Sequence, residues 1–153
     1  MKKSLKELRW YAPKHLFKYP HMFGLEAHIM DKWIEKFGDV AINIAYDIPV
    51  GDGRSVGEQS TIKLDLGARY STSYKIDAVA DMGGFYYLIE VKGSGNLEGI
   101  GQLVSYKQLI FDTYIIDKPV HLKLICTDCH PDLYTVAKAH LIDIVILDIS
   151  KIT

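Results

Sequence analysis

Between Lys75 and Lys92 two runs of strand-forming residues flank the dipeptide Gly83-Gly84, and no other feature limits the fold as strongly. Gly-Gly between alternating apolar segments predicts a two-residue hairpin turn whose backbone adopts positive φ angles. Met82 then faces Phe85, and every further cross-strand pair has position numbers adding to 167. Ile76, Ala78 and Ala80 on one arm, with Phe85, Tyr87, Ile89 and Val91 on the other, mark both arms as interior strands.

That register sets Asp77 opposite Glu90, and side-chain alternation turns Lys92 to the face of Glu90. Facing carboxylates, with Cβ atoms roughly 5 Å apart, destabilise a sheet unless something positive lies between them. Isolated charges on a strand usually mark a solvated face. Here the neighbours are apolar, and charged groups among them need partners. A divalent cation would serve, and a small set of hard oxygen donors suits Mg²⁺ or Mn²⁺ better than Zn²⁺.

The remaining chain supplies a frame for the hairpin. Leu25, Ile29, Met30, Trp33, Ile34 and Phe37 are spaced as an amphipathic helix over 25–37. Val40, Ile42, Ile44, Tyr46 and Ile48 alternate with smaller or polar residues as a strand stopped by Pro49 and Gly51. Residues 51–73 carry four glycines and a short alternation at Ile62, Leu64 and Leu66, which predicts a long loop or hairpin arm. Asn96 is placed to cap a helix running to about Tyr114, and Pro119 precedes a strand over 120–127. Pro131 opens a helix to about residue 140, and Ile142–Ile149 reads as a buried parallel strand. The order α, β, hairpin, α, β, α, β predicts helices packed on a mixed sheet. A chain of 153 residues is one domain's worth, 1–153.

Composition narrows the chemistry. A net charge of −1 offers no global field for nucleic acid, so any basic surface is local. The one basic segment is 1–18, where Lys2, Lys3, Lys6, Arg9, Lys14 and Lys18 mix with Trp10, Tyr11 and Phe17. It could grip phosphates and stack on bases, or be a solvated tail that can be removed without harm to the fold. Cys126 and Cys129 are too few for a disulfide scaffold, which points to a reducing, cytoplasmic setting. With His121, His130 and His140 they make a weak zinc pattern, since no second ligand pair follows at the right spacing. Gly51-Asp52-Gly53 and Gly99-Ile100-Gly101 do not continue into a nucleotide-binding fingerprint. No apolar run reaches a membrane span.

Ile76-Asp77, twelve intervening residues, then Glu90-Val91-Lys92, in a hairpin between two helices, resembles the PD-(D/E)XK nuclease superfamily. Gln102-Leu103-Val104-Ser105-Tyr106 on the following helix matches the Q-x-x-x-Y element of its RecB-like branch, which includes small nucleases similar to Holliday-junction resolvases. The resemblance covers about residues 25–127 and departs from the name at Ile76, where the family's motif has proline. It implies a restriction-endonuclease-like α/β/α sandwich around a mixed sheet, and Mg²⁺- or Mn²⁺-dependent hydrolysis of phosphodiester bonds in DNA. Asp77, Glu90, the Val91 carbonyl and Glu26 on the first helix would hold the metal. Lys92, Gln102 and Tyr106 would complete the catalytic set, and many such enzymes work as homodimers. The alternative is a non-catalytic nucleic-acid-binding or assembly protein that keeps the fold.

Overall fold

The computed structural model describes residues 2–53, 67–69 and 72–150. Five strands form one sheet whose spatial order follows the chain: Asn43–Val50 (β1), Tyr74–Asp81 (β2), Tyr86–Val91 (β3), Val120–Cys126 (β4) and Ile142–Ile146 (β5). β1, β2 and β3 run antiparallel; β3, β4 and β5 run parallel. Each parallel step needs a crossover, and Leu97–Thr113 (α2) and Pro131–Ala139 (α3) supply them. Ile100, Leu103, Tyr106 and Ile110 of α2, with Leu133 and Ala137 of α3, pack on one side of the sheet. On the other, Ile29, Met30, Trp33 and Ile34 of Gly24–Phe37 (α1) cover Ala78, Ala80, Ile89 and Ile125. The protein is a mixed α/β sandwich.

The hairpin has the expected register, from Asp81 opposite Tyr86 to Ala78 opposite Ile89. The turn differs in one respect: Gly83 has φ +94 while Gly84 stays outside the left-handed region. Gly83 N–H donates to Asp81 Oδ1 at 2.9 Å, so only the first position requires glycine's freedom. Asn96 caps α2 by accepting from Gly99 N–H at 2.8 Å. Gly99 is also a close approach, because a Cβ there would stand 3.1 Å from Leu124 and 3.5 Å from Lys92.

Several expectations need correction. Val40 and Ile42 precede β1 and are exposed, and Pro49 does not stop it but pairs with Lys75. β1 is an edge strand, and a residue without an N–H is tolerated there. β5 is likewise an edge rather than an interior strand, ends at Ile146, and leaves that residue's side chain exposed. In 51–73, Ile62, Leu64 and Leu66 lie outside the described residues, while 67–69 and Thr72 are helical rather than extended.

The N-terminal segment is built into the fold. Lys3–Ser4 pairs with Tyr114–Ile115, and Leu5 is completely buried. Trp10 stacks on Tyr86 with ring centroids 6.1 Å apart and donates to the Leu5 carbonyl, while Tyr11 pairs with Ile44. A removable tail is therefore ruled out for residues 2–11. An aromatic pair and a buried leucine, not the lysines, decide where this segment goes.

The inside-outside alternation slips once, at the same level on two strands. Ala45 and Val79 face α2, and Tyr46 and Ala78 face α1, as alternation requires. Ile48 and Ile76 ought then to face α1, yet both belong to the α2 side. Between them stand Asp47, whose φ is +55, and Asp77, and the pairing register is the same on both sides of the slip. Asp47 is held from outside the sheet by His21, 3.1 Å away.

Candidate active site

The slip decides how Asp77 is presented. A carboxylate in plain alternation would stand on one face of the sheet. Asp77 instead turns toward β3, where its Oδ2 accepts the Val91 backbone N–H at 2.8 Å. The ladder between β2 and β3 ends one pair earlier, at Ala78 and Ile89, so the side chain stands where a backbone carbonyl would otherwise serve. Placed at the sheet's end, Asp77 feels charges of both signs: Glu26 of α1 raises its pKa and Lys92, just past β3, lowers it. Burial is the largest influence and pushes the Asp77 carboxyl up.

Glu90 sits beside it as the one charged side chain that is fully buried among the described residues, only 3 % exposed. Burial first, and the Asp77 charge second, drive its pKa upward, further than that of Asp77. Lys92 offers one partner, its Nζ 3.5 Å from Glu90 Oε1. No donor among the described residues reaches Glu90 Oε2. An unsatisfied buried carboxylate oxygen costs several kcal/mol by the usual accounting, so the group takes up a proton or a cation. In the metal-free protein one proton serves the pair and resides on Glu90, whose carboxyl is raised the further of the two.

The α2 residues meet this pair from one side. Tyr106 is buried, and the negative charges of Glu90 and Asp77 add to burial in raising its hydroxyl pKa, while Gln102 one turn earlier acts in the opposite direction. Gln102 Oε1 is a second buried acceptor that no donor reaches. Both residues also line a groove of about 700 Å³ with Tyr74, Val104 and Leu109. α2 thus brings Tyr106 within reach of the carboxylates' charges and sets Gln102 beside Tyr106.

Glu26 lies in the first turn of α1, next to Leu25, whose Cδ2 would be 2.8 Å from a Cβ on Gly93. That contact seats the start of α1 over the residue that follows Lys92. Glu35, further along α1, is exposed and pairs with Lys32. Beyond Lys92 the chain is clamped, since Thr127 donates its N–H and its hydroxyl to the Gly93 carbonyl at 2.9 and 2.7 Å.

No three His, Cys, Asp or Glu side chains among the described residues converge closely enough to hold a cation by themselves. Two carboxylates, Asp77 and Glu90, do adjoin here, and the orphaned Glu90 Oε2 fits a cation partner. Glu26 stands near as a charge rather than as a close third ligand.

The six cations of 1–18 are not gathered at this site. Lys6 pairs with Asp117 at 2.8 Å, and Asp117 bonds the Tyr86 hydroxyl. Lys2 donates to the Phe111 carbonyl, and Lys3 lies beside Tyr114. These contacts are at the start of β3 and the end of α2, opposite the Glu90 end. Arg9 covers the Tyr11 ring. Lys14 and Lys18 are exposed and run beside α1. The cysteines are both free: Cys126 is buried against Gly95, and His121 meets Phe85 edge to face. What the sequence reading missed is a Tyr19, Asp31 and His15 cluster, in which Asp31 accepts from both the Tyr19 hydroxyl and His15 Nδ1. Asp31, on α1, lies sixteen positions from His15 and twelve from Tyr19 in the preceding loop, with no motif spacing to reveal the set.

No protein-family model, no curated protein and no solved structure matches the chain. Among the described residues no helix is long and apolar enough to cross a membrane.

Proposed function

We propose that this chain is a divalent-metal-dependent nuclease of restriction-endonuclease-like fold that hydrolyses phosphodiester bonds in DNA. The observation that carries the reading is the adjoining Asp77 and Glu90 pair at the end of the hairpin, with Glu90 buried, Lys92 beside it and one carboxylate oxygen left without a donor. Structural carboxylates are normally paired when buried; a pair arranged to repel is a feature of functional sites.

When bound by Asp77, Glu90 and the Val91 carbonyl, Mg²⁺ or Mn²⁺ supplies charge neutralisation at the phosphate and a more acidic water. Glu26 adds negative charge near Asp77 and can engage that ion through water. Lys92 is close enough to Glu90 to orient the attacking water and to offset charge on the phosphate oxygens. Gln102, with its free buried oxygen, positions the Lys92 ammonium or the scissile strand, and Tyr106 closes the cleft behind the carboxylates. A homodimer, with one site for each strand, suits cutting of duplex DNA.

A gel assay on circular plasmid, linear duplex and a four-way junction, each with Mg²⁺, Mn²⁺ or EDTA, tests the reading. Metal-dependent cutting of any of them is expected, and cutting of the circle identifies an endonuclease. If Mn²⁺ binds and DNA is retained without cutting, the non-catalytic alternative stands.

The shared proton makes a further expectation. Because metal must displace it, Mn²⁺ affinity should rise with pH, approaching tenfold per unit while Glu90 remains protonated. Calorimetry in buffers of different protonation enthalpy should detect the released proton, and an affinity flat between pH 6 and 8 would count against the site.

Lys92→Ala and Gln102→Ala separate chemistry from binding. Both should lower turnover, Lys92→Ala by roughly 10²-fold or more, while Mn²⁺ affinity changes little. Loss of Mn²⁺ binding in Gln102→Ala would give that residue a different role.

A further inference from the structure

Residues 13–23 run back along α1 from its end to its beginning. Pro13 touches Gly38, His15 and Tyr19 are tied to Asp31 at mid-helix, and Phe23 stands at the N-cap position. The tie fixes the path of the segment: Tyr19 is buried, and its hydroxyl also accepts the Leu16 N–H at 3.1 Å. Anchored in this way, the segment still turns its largest apolar groups outward. Phe17 is fully exposed and Phe23 is 69 % exposed. The two rings border one groove of about 320 Å³, with Lys18, Gly24 and His28 among its walls.

Two neighbouring phenylalanines in water on an ordered segment, each uncovered by the chain, are costly to leave exposed. Their surroundings indicate what covers them. Lys14 and Lys18 are exposed on the same segment and His28 on the adjoining face of α1, while the nearby acid Asp31 is consumed by His15 and Tyr19. Aromatic faces interleaved with cations suit a chain of flat rings joined by anions, and stacking on such rings does not discriminate between bases. The groove's wall at Phe23 and Gly24 is followed along the chain by Leu25, which packs on Gly93, and by Glu26, whose charge acts on Asp77.

Resting on the nuclease reading, we infer that Phe17 and Phe23 are base-stacking residues and that the groove beside α1 receives an unpaired DNA strand leading to or from the cleavage site. The substrate class is then DNA with a single-stranded segment at the cut, such as a fork, flap or frayed end, rather than an uninterrupted duplex. In a duplex the bases are stacked on each other and offer no free face to the two rings.

Binding in EDTA tests the inference without any dependence on cleavage. Fluorescence anisotropy with a labelled single strand and with its blunt duplex, for the wild type and for the Phe17→Ala, Phe23→Ala double variant, gives the comparison. The double variant should bind the single strand at least about tenfold more weakly and the duplex within about twofold of the wild type. Phe17→Trp with Phe23→Trp should restore binding, and 2-aminopurine in the strand should be quenched by the wild type but not by the alanine protein. Both rings are exposed, so an unchanged melting temperature should accompany these variants. Equal loss on both DNA forms, or no loss on either, overturns the stacking role. So does a fall in oligomer size in the double variant with DNA affinity intact, which would make the rings a contact between copies. The nuclease reading is judged separately, by metal-dependent cutting: a wild type that cuts but shows no ring-dependent preference for single strands loses this inference alone.

Discussion

Glu90→Gln is expected to abolish cleavage, by at least about 10³-fold, and at the same time to make the metal-free protein more stable. The two effects have one origin. Glutamine has nearly the shape of glutamate and can donate a hydrogen bond toward Asp77, but it is a poor partner for a divalent ion. In the folded protein the Glu90 pKa is raised, first by burial and then by Asp77. A carboxyl raised in this way favours the fold in acid; its contribution is fully present below the unfolded value and is lost as the pH rises through the folded one. At pH 8 in EDTA the wild type should therefore trail the variant by roughly 2 kcal/mol, or about 5 °C in melting temperature, and the gap should close toward pH 4. Saturating Mn²⁺ should reverse the ranking, because only the wild type gains from binding. Asp77→Asn should show the same loss of cleavage, with a smaller gain in stability, since Asp77 is less perturbed and already accepts from Val91. A Glu90→Gln protein that cuts DNA, or that melts earlier than the wild type in EDTA, would remove the carboxylate pair from the centre of the argument.

Leu5→Ala should be among the most damaging single changes outside the site. Leu5 is completely buried and belongs to the same core as Tyr86, Tyr114 and Val120, so its truncation leaves a cavity beneath the N-terminal strap. The expected cost is about 3 kcal/mol, seen as a melting temperature lower by about 10 °C. Deleting residues 1–11 should go further, because it also uncovers Tyr86 by removing Trp10 and frees the Ile44 edge by removing Tyr11. Thermal unfolding followed by circular dichroism distinguishes this from a removable phosphate-gripping arm, for which the truncated protein would melt like the full chain.

The hairpin was legible because a two-residue glycine turn leaves a single register, and the pairs Asp81 with Tyr86 and Ala78 with Ile89 follow from it. The helix caps were legible too, since Asn96 and Pro131 act through groups within their own turn. Gln102 and Tyr106 could be placed because residues four apart share a face whatever the helix packs against. Position within the sheet was harder to read. Ile42 and Ile146 are as apolar as Ile44 and Ile125, yet the first pair is exposed and the second buried, because Ile42 falls before β1 and Ile146 ends the edge strand β5, whereas Ile44 and Ile125 lie in the core shared with α1. The basic N-terminus was misread for a related reason: six charges dominate its composition, while Leu5 and Trp10, only two residues, make the contacts that place it. The direction of Asp77 was not accessible to alternation at all, since it arises where alternation slips.

That slip links two residues no motif would connect. Asp47 has a left-handed backbone, which glycine, asparagine and aspartate tolerate and β-branched residues resist. A valine there would favour an ordinary extended strand, and the tract beyond it, Ile48 and Val50 with Ile76, the partner of Ile48, would be turned toward the wrong layer. Asp77 would be carried with them and would lose its hold on Val91. A backbone dihedral on the outermost strand therefore sets the aim of a carboxylate one strand further in, so that a lesion of conformation at position 47 would be recorded as a defect of chemistry.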